Sequence, residues 1–194
     1  MDERLLAWGR AVKQRRRSKL PVLWMFTDAR RGGDPLPTIG ALPRGLCGVV
    51  FRHDGAPERK MLAVQVARIC RQRRLALVVA GDARLAAKIG AGFHLRGGRR
   101  AGPVRPRGLI TSSAHGIVEL RRARSHGAKI VFLSPAFATR SHAETGALGA
   151  VRWSNIARQG YGVKIYSLGG INGDNVFLLA HFCTGVGAIT ALIS

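Results

Sequence analysis

The stretch "LALVVAGDARLAAKIGAGFHLR", residues 75–96, contains one strand–helix–strand unit. Leu75 to Ala80 are apolar at every position, with no alternation. That suits a strand buried on both faces of a parallel sheet. Gly81 punctuates the run, and Asp82 is placed to cap the helix DARLAAKIG, residues 82–90. A second strand, GFHLR (92–96), follows at once.

Working outward, similar runs recur. They are PVLWMFTD (21–28), LCGVVFR (46–52), GLITSSAH (108–115), KIVFLSP (129–135), GVKIYSLGG (162–170) and GVGAITALI (185–193). Helical patterns lie between most of them. PERKMLAVQVARICRQRR (57–74) opens with Pro57, tolerated in a first turn. GIVELRRARSHG (116–127) closes on Gly127, a usual terminator. GALGAVRWSNIARQG (146–160) and NGDNVFLLAHFC (172–183) complete the set. This alternation predicts an α/β fold, a short (β/α)8 TIM barrel with an N-terminal helix. A doubly wound open sheet is the alternative. Residues 30–45 hold three prolines and at most one helical turn, and residues 96–108 have no helical pattern. The last run ends the chain, so the eighth helix is missing or is supplied by the N-terminus. The 194 residues are expected to form a single domain, with a basic helix over 1–19 and the barrel over 20–194.

The first segment, MDERLLAWGRAVKQRRRSK, has the apolar members Leu5, Leu6, Trp8 and Val12 and lacks a signal-peptide core. No apolar run reaches membrane-spanning length. Cys47, Cys70 and Cys183 form no CxxC pair, which predicts buried thiols in a reducing, cytoplasmic setting. The net charge of +22 attracts anions, phosphorylated metabolites among them. Nucleic acid is not expected as a partner, because aromatics are only 6% and no stacking platform is visible. A homo-oligomer is left open.

In a barrel, chemistry gathers at the C-terminal strand ends. These ends carry Arg52, His53 and Asp54, then Gly81 and Asp82, His94 with Arg96, and the Ser112 to His115 block. Ser134 follows, then Gly169 and Gly170, and finally Gly187 and Thr190. Adjacent glycines let the backbone approach a ligand, and a helix starting near Asn172 would direct its amides at an anion. A phosphate is therefore expected at Gly169, Gly170, Asn172, Gly187 and Thr190. Each residue also has a structural reading: Asp82 as a helix cap, His94 as a core histidine, Arg52 as an ion-pair partner. The arginines between Arg96 and Arg107 can be a solvated loop.

These motifs in order resemble the thiamine phosphate synthase and thiazole tautomerase (TenI-like) family. They are "GVVFR" (48–52), "VVAGD" (78–82), "GAGFHL" (90–95), "SSAH" (112–115), "FLSPAFATRSH" (132–142), "YSLGGIN" (166–172) and "GVGAIT" (185–190). The resemblance implies a TIM barrel and a transferase. It would couple an aminopyrimidine diphosphate to a thiazole phosphate, releasing pyrophosphate, with Mg2+. It implies Asp82 as metal ligand and places Arg52, His115, Ser134, Thr139 and His142 in the catalytic site. Arg96, Arg99 and Arg100 would meet the diphosphate. There are departures: Gly81 replaces an Asn, Arg99 stands where the synthase has a second acidic metal ligand, and His142 replaces a loop Lys. Two alternatives follow. One is a tautomerase-like isomerase using His115 as acid/base without metal. The other is a barrel that has lost catalysis and only binds a phosphorylated ligand.

Overall fold

A computed structural model describes residues 1–29, 33–99, 102, 108–139 and 146–193. Eight parallel strands close into a barrel in sequence order. They are β1 (Leu23–Phe26), β2 (Cys47–Phe51), β3 (Ala76–Ala80), β4 (Gly92–Leu95), β5 (Ile110–Ala114), β6 (Ile130–Leu133), β7 (Lys164–Leu168) and β8 (Val186–Ala188). Closure is made by Leu23 against Val186, Trp24 against Gly187 and Met25 against Ala188. The unbroken apolar runs are explained by burial on both faces: β1, β2, β4 and β6 have no exposed residue.

The two faces make two cores. Trp24, Phe26, Val50, Val78, Phe132 and Tyr166 point inward and fill the barrel. The alternate strand residues pack outward against α1 (Glu3–Arg16), α2 (Pro35–Ala41), α3 (Arg59–Arg73), α4 (Ala83–Lys88), α5 (Ile117–Ser125) and α6 (Gly149–Ala157). Large inward rings need small partners. A Cβ at Gly48 would lie 2.9 Å from the Trp24 ring, and one at Gly187 would lie 2.6 Å from Phe26. At the end remote from the strand C-termini, the Pro21 carbonyl accepts from Trp24 Nε1 at 3.1 Å and from the Tyr166 hydroxyl at 2.7 Å.

The N-terminal helix takes the place of the eighth. Asp2 caps α1 through Leu5 N–H, and the Asp2 amide donates to Ala191 O after β8. Leu5, Leu6 and Val12 are buried, and Gly9 lets α1 press on Leu23. All three cysteines are free and buried, and burial pushes each thiol up to about 12. Among the described residues no helix is long and apolar enough to cross a membrane.

Three expectations need correction. Residues 30–45 carry more than one helical turn, since α2 spans seven residues capped by Asp34. The last strand is only Val186–Ala188, and the chain then turns. No helix starts near Asn172; a 3-10 segment begins later, over Val176–Phe182. The reason is local side-chain competition. Asn172 Oδ1 accepts from the amides of Asp174 and Asn175, and Asn175 Oδ1 accepts from Asn172 N–H.

Candidate active site

Two adjoining cavities open at the C-terminal ends of the strands, of about 460 and 710 Å3. Phe26, Arg52, Ser134 and Leu168 line both, so together they form one cleft with two lobes. Either volume is the size of a small-molecule site.

The smaller lobe is bordered by glycine backbone: Gly169 and Gly170 after β7, and Gly187 with Thr190 at β8. Asn172 and Thr139 also line it. Gly169 and Gly170 sit at φ +89 and +65, in the left-handed region. They are also packed: a Cβ at Gly169 would meet Pro135 at 3.0 Å, and one at Gly170 would strike the Phe137 and Ala138 carbonyls. The glycine pair therefore serves the turn, the loop after β6 and the cavity wall together. The Gly173 amide is taken by Asp2 Oδ2 at 2.7 Å, and the amides of 172, 174 and 175 by asparagine side chains. The anion-binding helix terminus expected at Asn172 is thus absent among the described residues, and the glycine backbone of the two loops borders the lobe instead.

The larger lobe is lined by charge. Arg52 is held by Asp28 at 2.6 Å, and its amide donates to Thr27 Oγ1 at 2.9 Å. Arg96 donates to Asp54 at 2.5 Å. Arg99 lines the same lobe, its amide bonded to Arg96 O. His115, at the end of β5, bonds through Nδ1 to the Ser134 carbonyl at 3.0 Å. A carbonyl can only accept, so Nδ1 carries a proton. The His115 amide donates to Glu119 at 2.7 Å. His94 is buried and bonded to Thr111 Oγ1 at 2.8 Å, yet its ring reaches the lobe wall. Burial above all, then Arg96 and Arg52, lowers its pKa to about 3. His53 is buried too, stacked on Phe51 and bonded to Thr27, and burial lowers its pKa.

Asp82 lines neither lobe. Its Oδ1 accepts from Leu85 N–H at 2.8 Å, capping α4, and its Oδ2 faces Arg59 Nη1 at 3.3 Å. His142 and Arg100 lie outside the described residues. Arg59 escaped the sequence reading, because it stands inside a helical pattern. It links two of the site's carboxylates, Asp82 at 3.3 Å and Asp54 at 3.6 Å, and donates to the Ala80 carbonyl at 2.9 Å. Asp28 was readable as the end of the first run, but nothing in the sequence pairs it with Arg52.

Mg2+ beside a diphosphate takes one or two carboxylates, with phosphate oxygens and water completing its octahedron, and the nearby aspartates are already engaged by arginines. Among the described residues no three acidic, histidine or cysteine side chains come together to hold an ion. Asp28, Asp54 and Asp82 each face a guanidinium instead.

Comparison with known proteins agrees with this architecture. A family model described as thiamine monophosphate synthase matches residues 38–192. The thiamine-phosphate synthase of Bacillus licheniformis is 28% identical, with 94% of this chain and 88% of that protein covered. That of Geobacillus thermodenitrificans is 30% identical, covering 79% and 75%. Among solved structures, a thiamine phosphate pyrophosphorylase from Pyrococcus furiosus superposes with a TM-score of 0.75 at 23% identity. It covers 90% of this chain and 88% of its own, and shares the fold. With most of its length matched by that family model, the chain belongs to the thiamine monophosphate synthase (TenI-like) family.

Proposed function

We propose that the protein is a thiamine phosphate synthase, joining hydroxymethylpyrimidine diphosphate to thiazole phosphate. The observation that carries this is the two-lobed cleft, with one lobe walled by glycine backbone and the other by arginines. The thiazole phosphate rests on Gly169, Gly170, Gly187 and Thr190. The pyrimidine diphosphate lies across Arg52, Arg96 and Arg99, with Ser134 and Thr139 near the junction. The thiazole nitrogen gives its lone pair to the pyrimidine methylene carbon. The carbon–oxygen bond to diphosphate breaks, and pyrophosphate leaves with that electron pair. Negative charge grows on the leaving oxygens, so prearranged guanidinium groups stabilise the transition state more than the ground state. Asp28 holds Arg52 in place for this. Mg2+ is the family's expected ion, but Asp28, Asp54 and Asp82 each face a guanidinium, and the arginines are the charges set against the diphosphate. Buried free thiols suit a reducing compartment, in keeping with a cytoplasmic enzyme.

The test is product formation by purified protein from the two substrates. Arg52→Gln should lower kcat by roughly 100-fold or more, the scale of losing a transition-state donor. Wild-type protein that makes no thiamine phosphate, with or without Mg2+, would remove the synthase reading. One observation favours a second reading: His115 lines the larger lobe at the end of β5, its ring oriented by the Nδ1 bond to the Ser134 carbonyl. A tautomerase acting on a phosphorylated thiazole would then work in EDTA, fail in His115→Gln, and turn over the thiazole alone, whereas the synthase needs the pyrimidine diphosphate as well.

A further inference from the structure

Gly81 ends β3 in the left-handed conformation, at φ +73. The Arg96 guanidinium lies directly on it. A Cβ at Gly81 would stand 2.8 Å from Nη2, 2.9 Å from Cζ and 3.0 Å from Nε of Arg96. All three contacts are with the planar head group, so the α-carbon of Gly81 is its floor. The same Nη2 donates to Asp54 Oδ2 at 2.5 Å. That bond uses one of five guanidinium donors and leaves the rest of the fork at the cavity that Arg96 lines. Asp54 also faces Arg59 at 3.6 Å, and Arg59 is fixed in turn by Ala80 O and Asp82. Two guanidinium groups thus share one carboxylate across the ends of β2, β3 and β4. Asp82, the one carboxylate the resemblance offers to a metal, is turned to Leu85 N–H and Arg59.

We propose that Arg96, seated on Gly81 and braced by Asp54, takes the place of a divalent cation, so that the chain binds and releases the diphosphate group without metal. Gly81 is then a positioning residue: it contributes no donor, but any side chain there would lift the guanidinium off its seat. A planar fork held flat can offer two parallel bonds to phosphate oxygens, which a displaced one cannot. The inference rests on the diphosphate reading of the arginine lobe and adds to it both the role of Gly81 and independence from metal.

The experiment is calorimetric titration of the full chain with inorganic pyrophosphate, once in EDTA and once with Mg2+. Wild-type protein should bind in EDTA. Arg96→Ala and Gly81→Ala should each weaken that binding roughly tenfold or more, the scale of a charge-assisted bond. The two changes should not add, because Arg96→Ala leaves no guanidinium to displace. Backbone strain at φ +73 would lower the melting temperature of Gly81→Ala in both backgrounds, so affinity and stability separate. Arg121→Ala, on the exposed face of α5, controls for the overall positive charge and should change nothing. Arg96→Lys keeps the charge and loses the fork. It should weaken binding in EDTA, which leaves the proposal open to refutation should Gly81→Ala fail to fold. Binding only with Mg2+ would overturn the proposal, as would unchanged affinity in Gly81→Ala or an equal loss from Gly81→Ala in the Arg96→Ala background. Thiamine phosphate made only with Mg2+, together with Mg2+-dependent pyrophosphate binding, would sink this inference and leave the synthase reading standing. Pyrophosphate bound in EDTA without any product would support the arginine seat and sink the synthase reading.

Discussion

His94 lies where the packed interior of the barrel meets the cleft. Its ring stands edge-on to Phe26 at 5.6 Å and 5.9 Å from Phe132, with Nδ1 on Thr111. In the folded chain its pKa falls from the ordinary 6.5 to about 3. Between those values the unfolded chain binds a proton that the folded chain refuses. Stability from this group is therefore complete above about pH 6.5 and is lost as pH falls towards 3. At pH 5 the loss is roughly 2 kcal/mol. The urea midpoint should drop more between pH 7 and pH 5 in wild type than in His94→Gln; equal drops would show that the histidine does not contribute. The sequence left His94 between core residue and site residue, and in the structure it is a core ring whose edge reaches the lobe lined by arginines. Arg52 was equally double, since the residue that lines both lobes is also the ion-pair partner of Asp28. Such dual roles are hard to read in advance, because a strand-end position is written in the chain and its partner on another strand is not.

Elements were more legible than their neighbours' contacts. The continuous apolar runs became the strands, each within its expected bounds, because burial on both faces leaves a strong pattern. The helix α2 was missed because Pro35, Pro37 and Pro43 read as breakers. Yet Pro35 and Pro37 sit in the first turn, where the backbone N–H groups have no intrahelical acceptor and a proline loses nothing. The opposite error arose at Asn172, where apolar spacing promised a helix and asparagine side chains took its first amides. Glycine inside a strand was read through ligands alone, and packing explains it as well. Gly48 on β2 faces the Trp24 ring, with no left-handed backbone to complicate a substitution. Gly48→Ala should overfill the barrel and cost about 1–3 kcal/mol. Gly40→Ala, inside α2 with open space around it, should be neutral or stabilise by up to about 1 kcal/mol. Chemical denaturation of both variants checks the pair. A Gly48→Ala protein as stable as Gly40→Ala would mean that the interior can relax around an added methyl.

At the scale of the whole molecule, barrel closure depends on a segment distant in sequence from the seam it covers. β1 and β8 pair directly, but no helix follows β8 within the described chain, and the outer face there is covered by α1. The helix buries Leu5, Leu6 and Val12, and its cap residue Asp2 is tied to Ala191 and Gly173 on the far side of the seam. Arg4 adds an ion pair with Asp174. Burial of a large aliphatic side chain contributes about 1.5–3 kcal/mol. Three such residues therefore supply roughly 5–9 kcal/mol, comparable to the whole net stability of a typical domain. Removing residues 1–16 should consequently abolish cooperative folding, rather than trim a peripheral tail. The expected result is loss of near-ultraviolet circular dichroism and of a sharp urea transition. Adding a peptide of residues 1–16 should restore part of both, since it carries the contacts to Leu23, Gly173 and Ala191. A truncated chain that unfolds at the wild-type urea midpoint would mean that the barrel closes without α1. Asp2 also lines the smaller lobe, so the same truncation reaches the site directly. Asp2→Asn keeps the helix and weakens only its tie to Gly173, which separates the two effects. It should hold the fold within about 1 kcal/mol of wild type while shifting the affinity for inorganic phosphate, and no shift would confine α1 to a structural role.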